Sequence, residues 1–212
     1  MKITVKEKNS EHEYPLLNPN LINIYNMVTS ITLLREMGID AEKISESLKK
    51  HNIDVTRYSE TDVGDKKIVV HLAKGQNPIA CSRSIENAKD YPGNKIVYFV
   101  LDDYYDATKS VENTSWFYDT DFEFLNDDSI FKIIVTGSRH WDLYVRLLIA
   151  DVPDEKILHS RSEVEPAENI DLDGIDVVFM LYDVFNLEVT SQIKEKLTER
   201  INTSGQEAKD ED

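Results

Sequence analysis

Four short apolar runs punctuate the chain: Ile68–Ala73, Ile96–Leu101, Phe131–Val135 and Val177–Leu181. They are rich in β-branched and aromatic residues and nearly continuous, the pattern of strands buried on both faces in a parallel sheet. Lys156–His159 reads as a shorter fifth strand. Helical patterns fall between them. Ile79–Ala88 follows the first run. His140–Ala150 follows the third, with Leu143 and Leu147, and Tyr144 and Leu148, each four apart. Val189, Ile193, Leu197 and Ile201 form a stripe of the same spacing after the last run. Strands alternating with helices predict an α/β fold with a doubly wound, mainly parallel Rossmann-like sheet over about Lys66–Asn202.

The first part of the chain is patterned differently. Ile24, Met27, Val28, Ile31 and Leu34 mark an amphipathic helix that Gly38 ends. Asp40–His51 reads as a second helix with Asp40 as its cap. Lys2–Lys6 has strand character but no evident strand to pair with, and an unpaired edge is a liability. Three segments are therefore expected: 1–60, a strand and two helices that look like the end of something larger; 61–203, the α/β domain; and 204–212, a disordered acidic tail.

Composition narrows the function. Of 212 residues, 41% are hydrophobic, enough for a core, while the formal net charge is −16. That charge repels polyanions, so neither nucleic acid nor an anionic membrane is an expected partner. No apolar stretch approaches the ~20 residues of a membrane span. Met1–Ser10 is polar, without the apolar core of a secretory signal, and Cys81 is the single cysteine. A cytoplasmic location is expected.

Open parallel sheets bind ligands beyond the C-terminal ends of their strands. Those ends lead here into Lys74–Pro78, Asp102–Asp119, Thr136–Arg139 and Tyr182–Val184. No glycine-rich phosphate loop is present. Thr136-Gly137-Ser138-Arg139 opens a helix. It reads either as an anion-holding turn or as an ordinary cap with a surface arginine, and such caps are routine. The stretch Asp102–Glu123 is dense in carboxylates and aromatics. It reads as a source of base or metal-ligating groups, or as a solvated acidic loop anchored by Trp116. The five histidines show no zinc-binding spacing, so no metal site is expected. Cys81, in a helix with no histidine near it in sequence, reads as a buried inert thiol, and His71 as a hydrogen-bonded core residue.

Several segments, in order, carry a resemblance. Asn23-Ile24-Tyr25-Asn26 opens the first helix, Gly38-Ile39 follows it, and Arg57-Tyr58-Ser59-Glu60 comes next. Leu72-Ala73-Lys74 then leads to Asn77-Pro78, interrupted by Gly75-Gln76. The most specific segment is Ser115-Trp116-Phe117-Tyr118-Asp119-Thr120-Asp121-Phe122-Glu123. Thr136-Gly137-Ser138-Arg139 follows, with Asp142, Arg146-Leu147 and Ala150. Together they resemble the C-terminal domain of the MurT family, the Mur-ligase-like subunit of lipid II isoglutaminyl synthase, over about Ile22–Arg200.

The resemblance implies a Mur ligase C-terminal fold. It also implies a role in amidating the lipid II stem peptide with ATP and with ammonia that a GatD-type glutaminase releases from glutamine. In that family an aspartate ahead of the Ser-Trp pair is thought to complete the glutaminase's Cys–His pair. Asn113 stands there in this chain, with Glu112 beside it as an alternative. An asparagine can orient an imidazole but cannot stabilise an imidazolium by charge, and a comparable triad change costs about 10⁴ in turnover. Lys74, Asn77, Ser115, Trp116, Asp119, Asp121 and Arg139 would form the substrate or partner face. The chain lacks a nucleotide loop. It is therefore expected to bind no cofactor alone, ATP and Mg entering only through a separate domain or a separate ATP-binding Mur-type chain. Two functional readings follow: an accessory or split ligase subunit docking a GatD-type glutaminase, and a non-catalytic binding module derived from that domain. A fragment of a longer ligase is a further alternative.

Overall fold

The computed structural model describes residues 1–7, 10–17, 21–50, 58–73, 77–101 and 114–210, without the side chains of 22 and 204–210. The chain divides into two compact units, Met1–Val55 and Thr56–Asp212.

In the first unit, β1 (Lys2–Glu7) pairs antiparallel with β2 (Ser10–Pro15), in register from Lys2 opposite Pro15 to Glu7 opposite Ser10. The N-terminal strand, expected to stand alone, thus has a partner. Its sequence, Ser-Glu-His-Glu-Tyr-Pro, is almost wholly polar and gives no hydrophobic signal. Two helices follow, α1 (Leu21–Glu36) and α2 (Ala41–Lys50). Tyr14, Ile31, Ala41 and Ile44 form a small core, flanked by Ile3, Val5, Met27, Leu34, Ile39 and Leu48. The Arg35 fork clamps α1 to the hairpin: Nε and Nη2 donate to the two Glu7 carboxylate oxygens at 2.7 and 3.0 Å, and Nη1 donates to Ile39 O at 2.9 Å. That pairing holds the Glu7 carboxyl below its ordinary range.

The second unit holds a six-stranded sheet in the order β3-β4-β8-β5-β6-β7. Its strands are β3 (Tyr58–Val63), β4 (Lys66–Leu72), β5 (Lys95–Val100), β6 (Ile130–Thr136), β7 (Ile157–Ser160) and β8 (Val177–Tyr182). All neighbours run parallel except β3, which forms an antiparallel hairpin with β4. The four apolar runs are β4, β5, β6 and β8, and β7 is the short fifth strand. The edge strand β3, which sequence patterning did not indicate, crosses the expected boundary at 60/61.

Helices cover both faces. α3 (Pro78–Asp90) and α4 (His140–Ile149) lie on one. There Val69, Val97, Phe99, Ile133, Val135, Phe179 and Leu181 meet Cys81, Ile85, Leu143 and Leu147. α5 (Glu165–Asn169) and α6 (Leu187–Asp210) lie on the other. The alternate strand residues Ile68, Ile96, Tyr98, Ile134, Val178 and Met180 there meet Ala167, Ile193, Leu197 and Ile201. Burial on both faces explains the unbroken apolar runs. α6 continues as helix through Asp210, so the backbone of 204–210, expected to be disordered, is helical. Among the described residues no helix is long and apolar enough to cross a membrane.

Candidate functional site

The parallel strands deliver their C-terminal ends to one edge of the sheet. Between β5 and β6 the chain runs along the face covered by α3 and α4 in two 3₁₀ turns, Ser115–Phe117 and Phe122–Leu125. These residues are the segment that carries the most specific sequence resemblance, and Arg146 of α4 holds them in place. Its Nε donates to Phe117 O at 2.9 Å and its Nη2 to Thr120 O at 2.9 Å. Nη2 also reaches Glu123 Oε1 and Oε2 at 2.8 and 3.0 Å. The guanidinium carbon lies 5.3 Å from the centre of the Phe122 ring. Arg146 is buried, yet Nη1 has no hydrogen-bond partner among the described residues. Burial pushes the Glu123 carboxyl up, but a backbone N–H and Arg146 outweigh it, and the net shift is downward.

Two further bonds secure the segment. Thr120 Oγ1 donates to Trp116 O at 2.9 Å, and the Asp121 N–H donates to Ser82 Oγ on α3 at 2.9 Å. Trp116 points inward. It is 5% exposed and packs edge-on against Phe117, with ring centroids 4.4 Å apart. It is thus a core anchor and not a surface contact, because the first 3₁₀ turn folds the Trp116–Phe117 pair under the segment. Tyr118 is the aromatic that faces solvent. Ser115, Asp119 and Asp121 lie exposed along the same segment.

Asn77 begins α3, where its side chain accepts from the Ala80 N–H at 3.0 Å and Pro78 occupies the first turn. The side chain serves as a helix cap. Arg139 ends the turn after β6, its Nη1 3.4 Å from Asp142 Oδ2, and makes no side-chain cap bond to α4. Gly137 holds φ +89°, and Glu163 Oε1 sits 3.5 Å from where a Cβ would be. A bound anion at this turn would meet that carboxylate, so the geometry favours a plain helix start with a surface arginine over an anion-holding turn. Lys74, Glu112 and Asn113 lie outside the described residues.

Two other groups meet at this edge. Asp183 is buried after β8, and its Oδ1 accepts from the Val184 N–H at 2.6 Å. Cys81 is fully buried; burial first, then the charge of Asp183, pushes its thiol far up, so it stays protonated and unreactive. The strand ends also expose Ile79, Val184, Phe185 and Leu187 on neighbouring elements, an apolar rim that sequence patterning assigned to helices and loops. The His140 and His159 Nδ1 atoms lie 3.1 Å apart, close enough for one hydrogen bond between the rings. Nothing in sequence separation signals that pair. Among the described residues no three His, Cys, Asp or Glu side chains cluster as a metal site would require.

Residues 74–172 match the family model of the MurT ligase C-terminal domain. The chain is 29% identical over 173 residues to the MurT subunit of the glutamine-hydrolysing lipid II isoglutaminyl synthase of Staphylococcus aureus, covering 82% of this chain and 38% of that protein. It is 30% identical over 151 residues to the MurT subunit of Streptococcus pneumoniae, covering 71% of this chain and 32% of the relative. The chain therefore spans about two fifths or less of these relatives. MurF from Acinetobacter baumannii superposes with a TM-score of 0.69 at 12% identity, over 93% of this chain and 42% of that one. MurC from Thermotoga maritima superposes with a TM-score of 0.59 at 15% identity, over 92% and 40%. At such identities the structural likeness shows a Mur-ligase-like fold alone.

Proposed function

We propose that this chain, whose residues 74–172 match the MurT ligase C-terminal family model, is an accessory or split subunit of a glutamine-dependent, lipid II-amidating ligase. It would act in the cytoplasm and dock a GatD-type glutaminase. The observation that carries the reading is the Arg146 clamp. Four hydrogen bonds from one buried guanidinium fasten the Ser115–Glu123 segment to α4. The segment follows directly on 112–113, so Asn113, or Glu112, would be presented to the glutaminase from a fixed base. The exposed Ile79, Val184, Phe185 and Leu187, after the C-terminal ends of β4 and β8, add apolar contact area.

In this reading Asn113 orients a glutaminase imidazole, while Lys74 attracts anionic substrate. ATP and Mg act on a separate domain or chain, since the resemblance places carboxylate activation there. The test combines the chain with a GatD-type glutaminase and an ATP-binding Mur-type chain, and measures lipid II amidation dependent on glutamine and ATP. Amidation that requires this chain supports the proposal; none with any such combination refutes it.

One observation favours a second reading, a binding module without chemistry: the neutral Asn113 stands where the resemblance implies an aspartate. Asn113→Asp separates the two. Gain of amidation marks a weakened catalytic subunit, whereas unchanged binding with no activity marks a module.

A further inference from the structure

Helix α4 is apolar on both sides. Leu143 and Leu147 face the core, as on any half-buried helix. The opposite arc carries Trp141, Val145, Leu148 and Ile149, which are 58, 47, 39 and 58% exposed. Past their first turns, the other long helices of this domain differ. α3 turns Arg83 outward, and α6 turns Gln192, Glu195, Lys196 and Glu199 outward. A helix that is hydrophobic all round belongs in an interior, so the outer arc of α4 reads as a surface that a further layer covers.

The spacing of the stripe selects the occupant. Trp141, Val145 and Leu148 recur at i, i+4 and i+7, the seam of a packed helix pair. The stripe is also self-complementary. A second copy laid antiparallel, with the twofold passing at Val145, sets Trp141 of each copy against Leu148 of the other. The same rotation brings Arg139, whose Nη1 lies 3.4 Å from Asp142 Oδ2 of its own chain, level with the exposed Asp151 just past the end of the other copy's helix, so a basic and an acidic group lie opposite each other twice. The helix dipoles then run antiparallel. The rim of the stripe carries Arg139 and His140 as well as Asp142 and Asp151, a mixture that suits a copy of itself better than a uniformly basic partner. We propose that the chain forms a twofold homodimer through the outer face of α4, independently of the ligase-subunit reading.

The net charge of −16 on each copy opposes association. Salt screens that long-range repulsion but leaves a packed apolar seam intact. Sedimentation of the full chain, from micromolar to hundreds of micromolar at low and high salt, should show a monomer–dimer equilibrium that tightens as salt rises. Trp141 fluorescence should shift to the blue along with the dimer fraction. Val145→Lys sets two like charges face to face on the twofold and should raise the dissociation constant at least about 30-fold, with circular dichroism unchanged and with the melting temperature unchanged at concentrations where the parent is monomeric. Leu148→Lys should do the same, and Gln192→Lys on α6 should change nothing. A chain that stays monomeric throughout overturns the proposal and leaves the stripe to a different protein. A dimer indifferent to both lysine variants overturns it too.

Discussion

Replacing Arg146 by methionine tests whether one side chain organises the candidate site. Methionine keeps most of the stem's volume against Phe122 but donates nothing. Phe117 O and Thr120 O then lose their donors in a covered environment. Each such loss costs about 1–3 kcal/mol. The Glu123 contact adds little, because that carboxylate is 57% exposed and exposed ion pairs contribute about 0–1 kcal/mol. Removing the unpartnered Nη1 returns on the order of 1 kcal/mol. The balance is a destabilisation of about 3 kcal/mol. Urea unfolding followed by circular dichroism measures it as a shift in midpoint at constant slope. Fluorescence of the buried Trp116, read in a Trp141→Phe background, should change at lower urea than the dichroism signal, because the segment loses its clamp before the sheet melts. Glu123→Gln should cost less than about 1 kcal/mol. The reasoning fails if Arg146→Met stays within 1 kcal/mol of the parent with Trp116 emission unmoved, or if Glu123→Gln costs as much as Arg146→Met.

His71 predicts a pH dependence. Burial lowers its pKa from 6.5 to about 4, so the folded state holds the neutral ring and the unfolded state takes up a proton first. Its contribution is complete above about pH 6.5 and is lost as the pH falls toward 4, up to about 3 kcal/mol. Urea midpoints at neutral and acidic pH should differ less for His71→Asn than for the parent; equal differences would remove burial as the cause. Gly93 predicts a stability loss. It holds φ +94°, and an added Cβ would lie 2.8 Å from Asp176 Cβ, next to the carboxylate that accepts the Asn94 N–H. Gly93→Ala should cost about 2 kcal/mol or more in thermal unfolding, and a neutral result would contradict that close approach.

The elements that patterning revealed are those whose own residues carry the burial. β4, β5, β6 and β8 are apolar throughout because helices cover both faces, and Val189, Ile193, Leu197 and Ile201 mark α6 because one side of it meets the sheet. β2 and β3 left no such mark. Ser-Glu-His-Glu-Tyr-Pro and Tyr-Ser-Glu-Thr-Asp-Val are mostly polar, and backbone pairing with β1 and β4 is what makes them strands.

The candidate site divides the same way. Sequence alone marked Ser115–Glu123 as distinctive and the strand ends as the place to look. It determined the identity and order of those residues, not which way each side chain turns. Trp116, expected on the partner face, is core; Asn77, expected on the same face, caps α3 and stays exposed. Arg146 entered only as one letter of a resemblance, and its clamp exists because α4 crosses over a segment more than twenty residues earlier in the chain. The His140–His159 contact and the apolar outer arc of α4 likewise depend on where elements lie in space. Periodicity reports which residues seek burial along one element. Only the tertiary structure decides which of them find a partner, because pairing across the chain depends on distances that sequence separation does not encode.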